Sequence, residues 1–179
     1  MGANYNSDYS DCTVNIELIR KKDSSASINF DCNFAQSGEY LSVLGAEKIN
    51  YLNVRGRAYR KNGMPSAEYT ITAEFTAKCA RCNKEAPQTI KARGEKYIAD
   101  KSDGKDDSGD YYVTETEGII NMSDFTKEFL GLEVPIRYLC SENCRGLCPK
   151  CGKDLNDGEC SCPKKEKNPD FAVLDDFFK

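Results

Sequence analysis

Eight of the ten cysteines in this chain fall into four close pairs, and the chain contains no histidine. The pairs are Cys79/Cys82, Cys140/Cys144, Cys148/Cys151 and Cys160/Cys162. A tetrahedral zinc ion takes four soft ligands, and thiolates alone can supply them. Four pairs therefore predict two all-cysteine sites, each holding one Zn²⁺. The lack of histidine excludes mixed Cys/His sites, and with them Ser-His and Cys-His nucleophilic couples. An all-thiolate site leaves no open position for water or substrate. The sites are expected to be structural, and the chain a non-enzyme with no small-molecule substrate.

The sharpest motif is Cys148-Pro-Lys-Cys151-Gly-Lys. In a zinc knuckle the chain turns tightly so that two sulfurs converge, and backbone N–H groups after the first cysteine point at them. The residue after the second cysteine needs a positive φ, which Gly152 supplies without strain. Cys79-Ala-Arg-Cys82-Asn83 has the same form, with Asn83 as the next most tolerant residue. Two partitions satisfy the spacing. The favoured one closes Cys148, Cys151, Cys160 and Cys162 into a local site and leaves Cys79, Cys82, Cys140 and Cys144 to clamp the earlier chain to the tail. The other joins the two knuckles. Redox thiols, an iron–sulfur cluster and disulfides are the rival uses of such pairs. Cys12 and Cys32 read as unpaired, Cys32 as a small buried hydrophobe on an apolar strand face.

The first hundred residues read as β. Val14, Ile16 and Leu18 alternate with polar residues, as do Ile28 to Phe34 and Tyr69 to Ala77, which is the signal of half-buried strands. Further strands are expected around 51–60 and 88–98, with a tight hairpin at Lys61-Asn62-Gly63. Residues 100–110 read as a solvated acidic loop. A short helix capped by Ser123 is expected to bury Phe125, Phe129 and Leu130 and to end at Gly131. Another is expected from Asn168-Pro169 onward. The predicted fold is α+β and mainly β: an antiparallel sheet or partial barrel, with short helices and a C-terminal zinc-ribbon-like module. The expected division is a β-rich body over 1–135, carrying the Cys79/Cys82 knuckle, and a cysteine-rich module with a docking helix over 136–179.

Charge is segregated along the chain. Residues 47–98 carry eleven basic and five acidic side chains, a net of +6, whereas residues 99–134 carry three and ten, a net of −7. Affinity for an anionic partner is therefore expected in the first of these segments. Arg55, Arg57 and Tyr59 share one strand face by their i, i+2, i+4 spacing, and Lys91 and Arg93 share another. Cations beside an aromatic ring on a sheet resemble an RNA-binding surface, although a merely solvated face has the same composition. The polar start, Met1 to Cys12, has no secretory pattern, and no apolar run spans a bilayer, so a cytoplasmic, membrane-free protein is expected.

The tail Cys140-x3-Cys144-Arg-Gly-Leu-Cys148-Pro-Lys-Cys151-Gly-Lys-Asp-Leu-Asn156, followed by Cys160-x-Cys162, resembles the YceD family, in particular its YlbN-like branch. Cys79-Ala-Arg-Cys82, Leu132-Glu-Val-Pro135 and Asn168-Pro-Asp-Phe-Ala-Val-Leu174 match that family's further motifs in order. The likeness runs from about residue 50 to 176; the first 45 residues match only as a strand-rich start. The family is named for accumulation of large-subunit ribosomal RNA. The resemblance implies a role in ribosome biogenesis through 23S rRNA, with rRNA, a pre-large-subunit particle or an assembly factor as partner. It implies no catalytic activity. Two rival classes remain: a zinc-thiol redox-sensing chaperone, and an adaptor docking through Phe171, Leu174, Phe177 and Phe178.

Overall fold

The computed structural model describes residues 12–34, 38–100, 111–114 and 116–163. Its frame is a five-stranded sheet in the order β2 (Ser27–Asn33), β3 (Ala46–Lys61), β4 (Met64–Lys78), β5 (Glu85–Asp100), β6 (Tyr111–Thr114). The first four strands are antiparallel, whereas β6 joins β5 in parallel. That parallel edge departs from the all-antiparallel expectation. The short strands β1 (Thr13–Asn15) and β7 (Ile119–Asn121) form a separate ribbon. Among the described residues three helices accompany the sheet: α1 (Glu17–Arg20), α2 (Glu39–Leu44) and α3 (Met122–Glu133). The mainly β character and the short helices follow the sequence reading.

β3 and β4 are joined at the expected turn, where Asn62 and Gly63 take φ of 50° and 81°. The strands alternate in burial as their period of two requires: Tyr69, Ile71, Ala73, Phe75 and Ala77 point into the core. Across the sheet, Phe30, Gly56, Tyr69 and Gly94 stand in one register row on that inner face. Large rings thus alternate with positions that carry no side chain, and the sheet curls over them. A Cβ at Gly56 would lie 2.0 Å from the Glu68 carbonyl oxygen and 2.7 Å from the Phe30 ring. Backbone cannot yield as a side chain can, so Gly56→Ala is expected to destabilise by about 2 kcal/mol. Equilibrium denaturation checks this; an unchanged midpoint would show that the row tolerates a methyl group.

Several local expectations are corrected. The strand proposed through Leu18 stops at Asn15, whose side-chain oxygen accepts from the Glu17 amide at 2.9 Å and turns the chain into α1. Ile19 is then buried and Leu18 exposed. α3 is capped by Asn121 rather than Ser123: the Asn121 Oδ1 accepts from the amides of Ser123 and Asp124 at 2.9 and 3.3 Å. Its interior absorbs Gly131 and continues to Glu133. Asp100 is not solvated; it is buried, accepting from the Thr114 hydroxyl at 2.6 Å and pairing with Arg20 at 2.7 Å. Cys12 and Cys32 are not unpaired: they form a disulfide, with Cα atoms 6.2 Å apart, that ties the start of β1 to β2. Twenty residues of separation gave no spacing signal for that pairing. The helix expected after Asn168 lies outside the described residues.

α3 closes the core. Phe125 and Phe129 meet Tyr69 of β4 and Tyr112 of β6 in one aromatic cluster. The chain then leaves α3 through Pro135, and Tyr138 returns to the body: its hydroxyl donates to the Leu44 carbonyl at 2.7 Å and its ring meets Phe75 edge-on. Tyr138 therefore fixes where the cysteine-rich segment begins.

Candidate metal centres and a basic sheet face

The tight turn after β4 brings Cys79 and Cys82 together. The Asn83 amide donates to the Cys79 carbonyl at 2.9 Å, and Asn83 adopts a φ of 60°. The Ala80 amide donates to the Tyr138 carbonyl at 2.8 Å, which lays the following segment beside the turn. Cys140 and Cys144 arrive from that segment. The four sulfurs all lie within 4.8 Å of one another. Cys79 Sγ stands 3.7 Å from Cys144 Sγ, and Cys82 Sγ 3.5 Å from Cys140 Sγ. Sulfurs bound to one tetrahedral zinc at about 2.3 Å would stand about 3.8 Å apart. The donor set and its spacing thus fit such an ion. Cys79, Cys82 and Cys144 are buried beside Ala86 and Leu139, and Cys140 is exposed.

The second turn repeats the device. Gly152 takes a φ of 72°, its amide donates to the Cys148 carbonyl at 2.9 Å, and the Cys148 amide donates to the Lys153 carbonyl at 2.8 Å. Cys148, Cys151, Cys160 and Cys162 converge within the same 4.8 Å limit. The eight sulfurs therefore group as a local site and a clamping site, and the knuckle-to-knuckle partition is not adopted. This second cluster is more open: Cys148 is buried, Cys151 exposed, and the other two half-buried.

Thiol acidity differs within each cluster. Burial pushes Cys79 up, but backbone N–H groups of Cys140, Cys82 and Arg81 outweigh it and hold the thiol at about 6. The Lys84 amide pulls Cys82 down, yet burial and the sulfurs around it leave it pushed up to about 12. Cys148 is held at about 6 by the N–H groups of Cys151 and Lys150, while Cys162, beside Cys151 and partly desolvated, is pushed up to about 12. One thiolate forms easily in each cluster and the next is opposed by the first. Four thiolates coexist only with a cation at their centre. Both clusters could hold a metal ion.

Links that the sequence did not advertise connect the clusters. The Asn156 side-chain amide reaches Cys144 Sγ at 3.5 Å, and its oxygen accepts from the Arg145 amide at 2.7 Å. The Arg81 guanidinium donates to the Cys144 carbonyl at 2.7 Å. Lys84 pairs with Asp154 at 2.7 Å and Asp157 at 3.2 Å. Asn156 could have been suspected from its place after a knuckle; the partners of Lys84 and Arg81 depend on how the two turns stack and carry no sequence signal.

The outer face of β3–β5 gathers all five basic-surface candidates. Register places Arg55 and Arg93 on either side of Thr70, and Lys91 beside Thr72. The neighbouring row is different: Arg57, Glu68 and Glu95 stand side by side. Arg57 pairs with Glu68 at 3.1 Å and lies 4.8 Å from the centre of the Tyr59 ring. The Tyr59 hydroxyl and Lys61 both engage Glu95. That contact raises the Tyr59 phenol above its ordinary value. Sequence alone had located the cations but not the two glutamates facing them, because cross-strand neighbours depend on register.

The model of the family described as large ribosomal RNA subunit accumulation protein YceD matches residues 67–178. That span includes all eight paired cysteines, Lys91 and Arg93, but not Arg55, Arg57 or Tyr59. The chain is 28% identical to the protein YlbN of Bacillus subtilis (strain 168) over 134 residues, 74% of this chain and 77% of that protein. It is 34% identical over 55 residues to a chloroplastic YCED homolog 1 of Arabidopsis thaliana, 31% of this chain and 17% of the relative. A Zea mays homolog of the same description is 24% identical over 161 residues, covering 74% of this chain and 55% of the relative. The chain therefore spans only part of the chloroplastic relatives it matches. No solved structure matches it.

Proposed function

This chain belongs to the YceD family, and we propose that it is a non-enzymatic, zinc-stapled protein acting in the accumulation of large-subunit ribosomal RNA. The observation that carries this reading is the family match, which extends over β4, β5 and both cysteine clusters. The family description and the chloroplastic relatives both name large ribosomal RNA accumulation. The two clusters favour zinc because each gathers four thiols within 4.8 Å of one another and no oxygen or nitrogen ligand. With all four positions filled by protein, the ion would shape the chain rather than activate a substrate. Cys79, Cys82, Cys140 and Cys144 would fix the segment after α3 to the sheet; Cys148, Cys151, Cys160 and Cys162 would fold the ribbon that follows.

The partner is rRNA, or a pre-large-subunit particle that carries it, met through the outer face of β3–β5. Arg55, Arg57, Tyr59, Lys91 and Arg93 are the candidate contacts. Among the described residues no helix is long and apolar enough to cross a membrane; the cytoplasm, where ribosomes assemble, is the site of action this reading proposes. The test is depletion of the protein followed by sedimentation of ribosomal particles. Fewer mature large subunits and less 23S rRNA are expected, with the tagged protein recovered beside a large-subunit precursor. Normal large subunits after depletion, and no rRNA recovered with the tagged protein, would overturn the proposal.

A further inference from the structure

The five candidates on the outer face are not equivalent. Arg57 is neutralised by Glu68, and Glu95 engages Lys61 and the Tyr59 hydroxyl. The Tyr59 ring, which a base would need as a stacking surface, is already met by the Arg57 guanidinium at 4.8 Å. The other three cations are different. Among the described residues Arg55, Lys91 and Arg93 form no ion pair, and all three are exposed. Asp31, the register neighbour of Arg55, accepts instead from the Asn53 amide at 2.6 Å. Between the three cations lie the short polar side chains Thr70 and Thr72, which keep the strip low and offer hydroxyls. An open cleft of about 840 Å³ lies over the Arg55–Arg93 end of this strip and the acidic row beside it, with Arg55, Thr70 and Arg93 on one side and Arg57, Glu68 and Glu95 on the other; Lys91 lies beyond it.

From this division, and resting on the RNA reading above, we infer that the face grips the phosphodiester backbone of RNA through Arg55, Lys91 and Arg93, and does not read bases through Tyr59. Unpaired guanidinium groups flanking a hydroxyl suit phosphate oxygens, which accept from both. Glu68 and Glu95 bound the strip on one side, repel a phosphate there and hold Arg57 out of use. Recognition of this kind is independent of sequence and depends steeply on salt.

The experiment is fluorescence anisotropy of the intact zinc-loaded protein with three probes: labelled oligouridylate, a mixed-sequence RNA strand and an RNA duplex, each titrated at several salt concentrations. The two single strands should bind within a few-fold of each other. The comparison of strand with duplex tells which form presents its phosphates at the right spacing. The triple substitution Arg55→Gln, Lys91→Gln, Arg93→Gln should lower the slope of log affinity against log salt by about 2 for single strands and weaken binding on the order of 100-fold near 0.1 M salt. Tyr59→Phe should change little. Glu68→Gln, which frees Arg57, should tighten binding and steepen the salt slope. Because that variant gains affinity, its result does not depend on tolerance of a loss. A triple variant that binds as the parent does, or a strong preference for one base sequence that Tyr59→Ala abolishes, overturns this inference and leaves RNA binding standing. If the parent binds none of the probes and is captured only by a ribosomal or assembly protein, the direct RNA reading falls, and this one with it.

Discussion

Removing metal with a high-affinity chelator is expected to free residues 139–163 from the body while β2 to β5 stay folded. The reason lies in what each part buries. The sheet and α3 share one large core that runs from Cys12 to Tyr138. Among the described residues, the segment beyond Tyr138 contributes Leu139 and Cys144 to a second small cluster, with Cys79, Cys82 and Ala86. Nothing of that size offsets the backbone entropy of ordering some 25 residues, at roughly 1–2 kcal/mol each. Bound metal folds small modules that lack a core of their own, and an ion in each cluster would supply the stabilisation this segment does not draw from burial. The ion of the more open outer cluster should be lost first. The ion of the buried inner set should follow more slowly, and its loss should expose Cys79 to thiol reagents. Hydrogen exchange read by mass spectrometry, with zinc release followed by a chromogenic chelator, distinguishes the two steps. Cys144→Ser should disturb both clusters, because the Asn156 amide that orders the ribbon reaches Cys144 Sγ; Cys162→Ser should disturb the outer one alone. Full protection of 139–163 in metal-free, reduced protein would show that the ribbon holds itself without an ion.

What could be read from the sequence follows from the range of each signal. The knuckles were legible because their geometry is set within five residues: two sulfurs, the amides between them and one residue of positive φ. The Lys61–Gly63 hairpin and the alternation in β4 are equally local. The division of the eight sulfurs was favoured on compactness, and the stacking of the two turns supplies the contacts that realise it. Other features depend on contacts distant in sequence. Nothing in Tyr111–Thr114 states that it will join β5 in parallel. The Cys12–Cys32 bond links residues that only the pairing of β2 with β3 and of β1 with β7 brings near each other. Leu18 was assigned to a strand because its period was right, and a single Asn15 side chain was enough to turn the chain before it. On the outer face, composition found the cations, while register set Arg57 beside Glu68 and set Arg55 beside Asp31, whose carboxylate is turned to the Asn53 amide instead. A charged residue is legible; whether its charge is already spoken for is a property of its neighbours across the sheet.

Phe125→Ala is expected to destabilise the protein by about 3–5 kcal/mol. Phe125 is fully buried at the start of α3, where its ring lies edge-on to Tyr69 at 5.0 Å, Tyr112 at 5.0 Å and Phe129 at 4.7 Å. Truncation removes the shared member of three ring pairs and leaves a void walled by side chains with little room to move. Tyr112 sits on β6, which pairs with β5 over only four residues and so depends on α3 to stay in place. Against a typical total stability of 5–15 kcal/mol, the loss is large: the melting temperature of a domain this size should fall by about 10 °C. Phe125→Leu, which keeps most of the volume, should cost about 1–1.5 kcal/mol. Denaturant titration of both variants, with metal held constant, measures the difference; a Phe125→Ala cost below about 1 kcal/mol would mean that the core collapses around the gap and that α3 is held by something else. The same substitution separates scaffold from surface. The ring cluster lies on the inner face of the sheet and Arg55, Lys91 and Arg93 on the outer, so well below its melting temperature the Phe125→Ala protein should retain the parent's RNA salt slope. A slope that changed with the core would place the RNA contacts on α3 or the rim of the inner face instead.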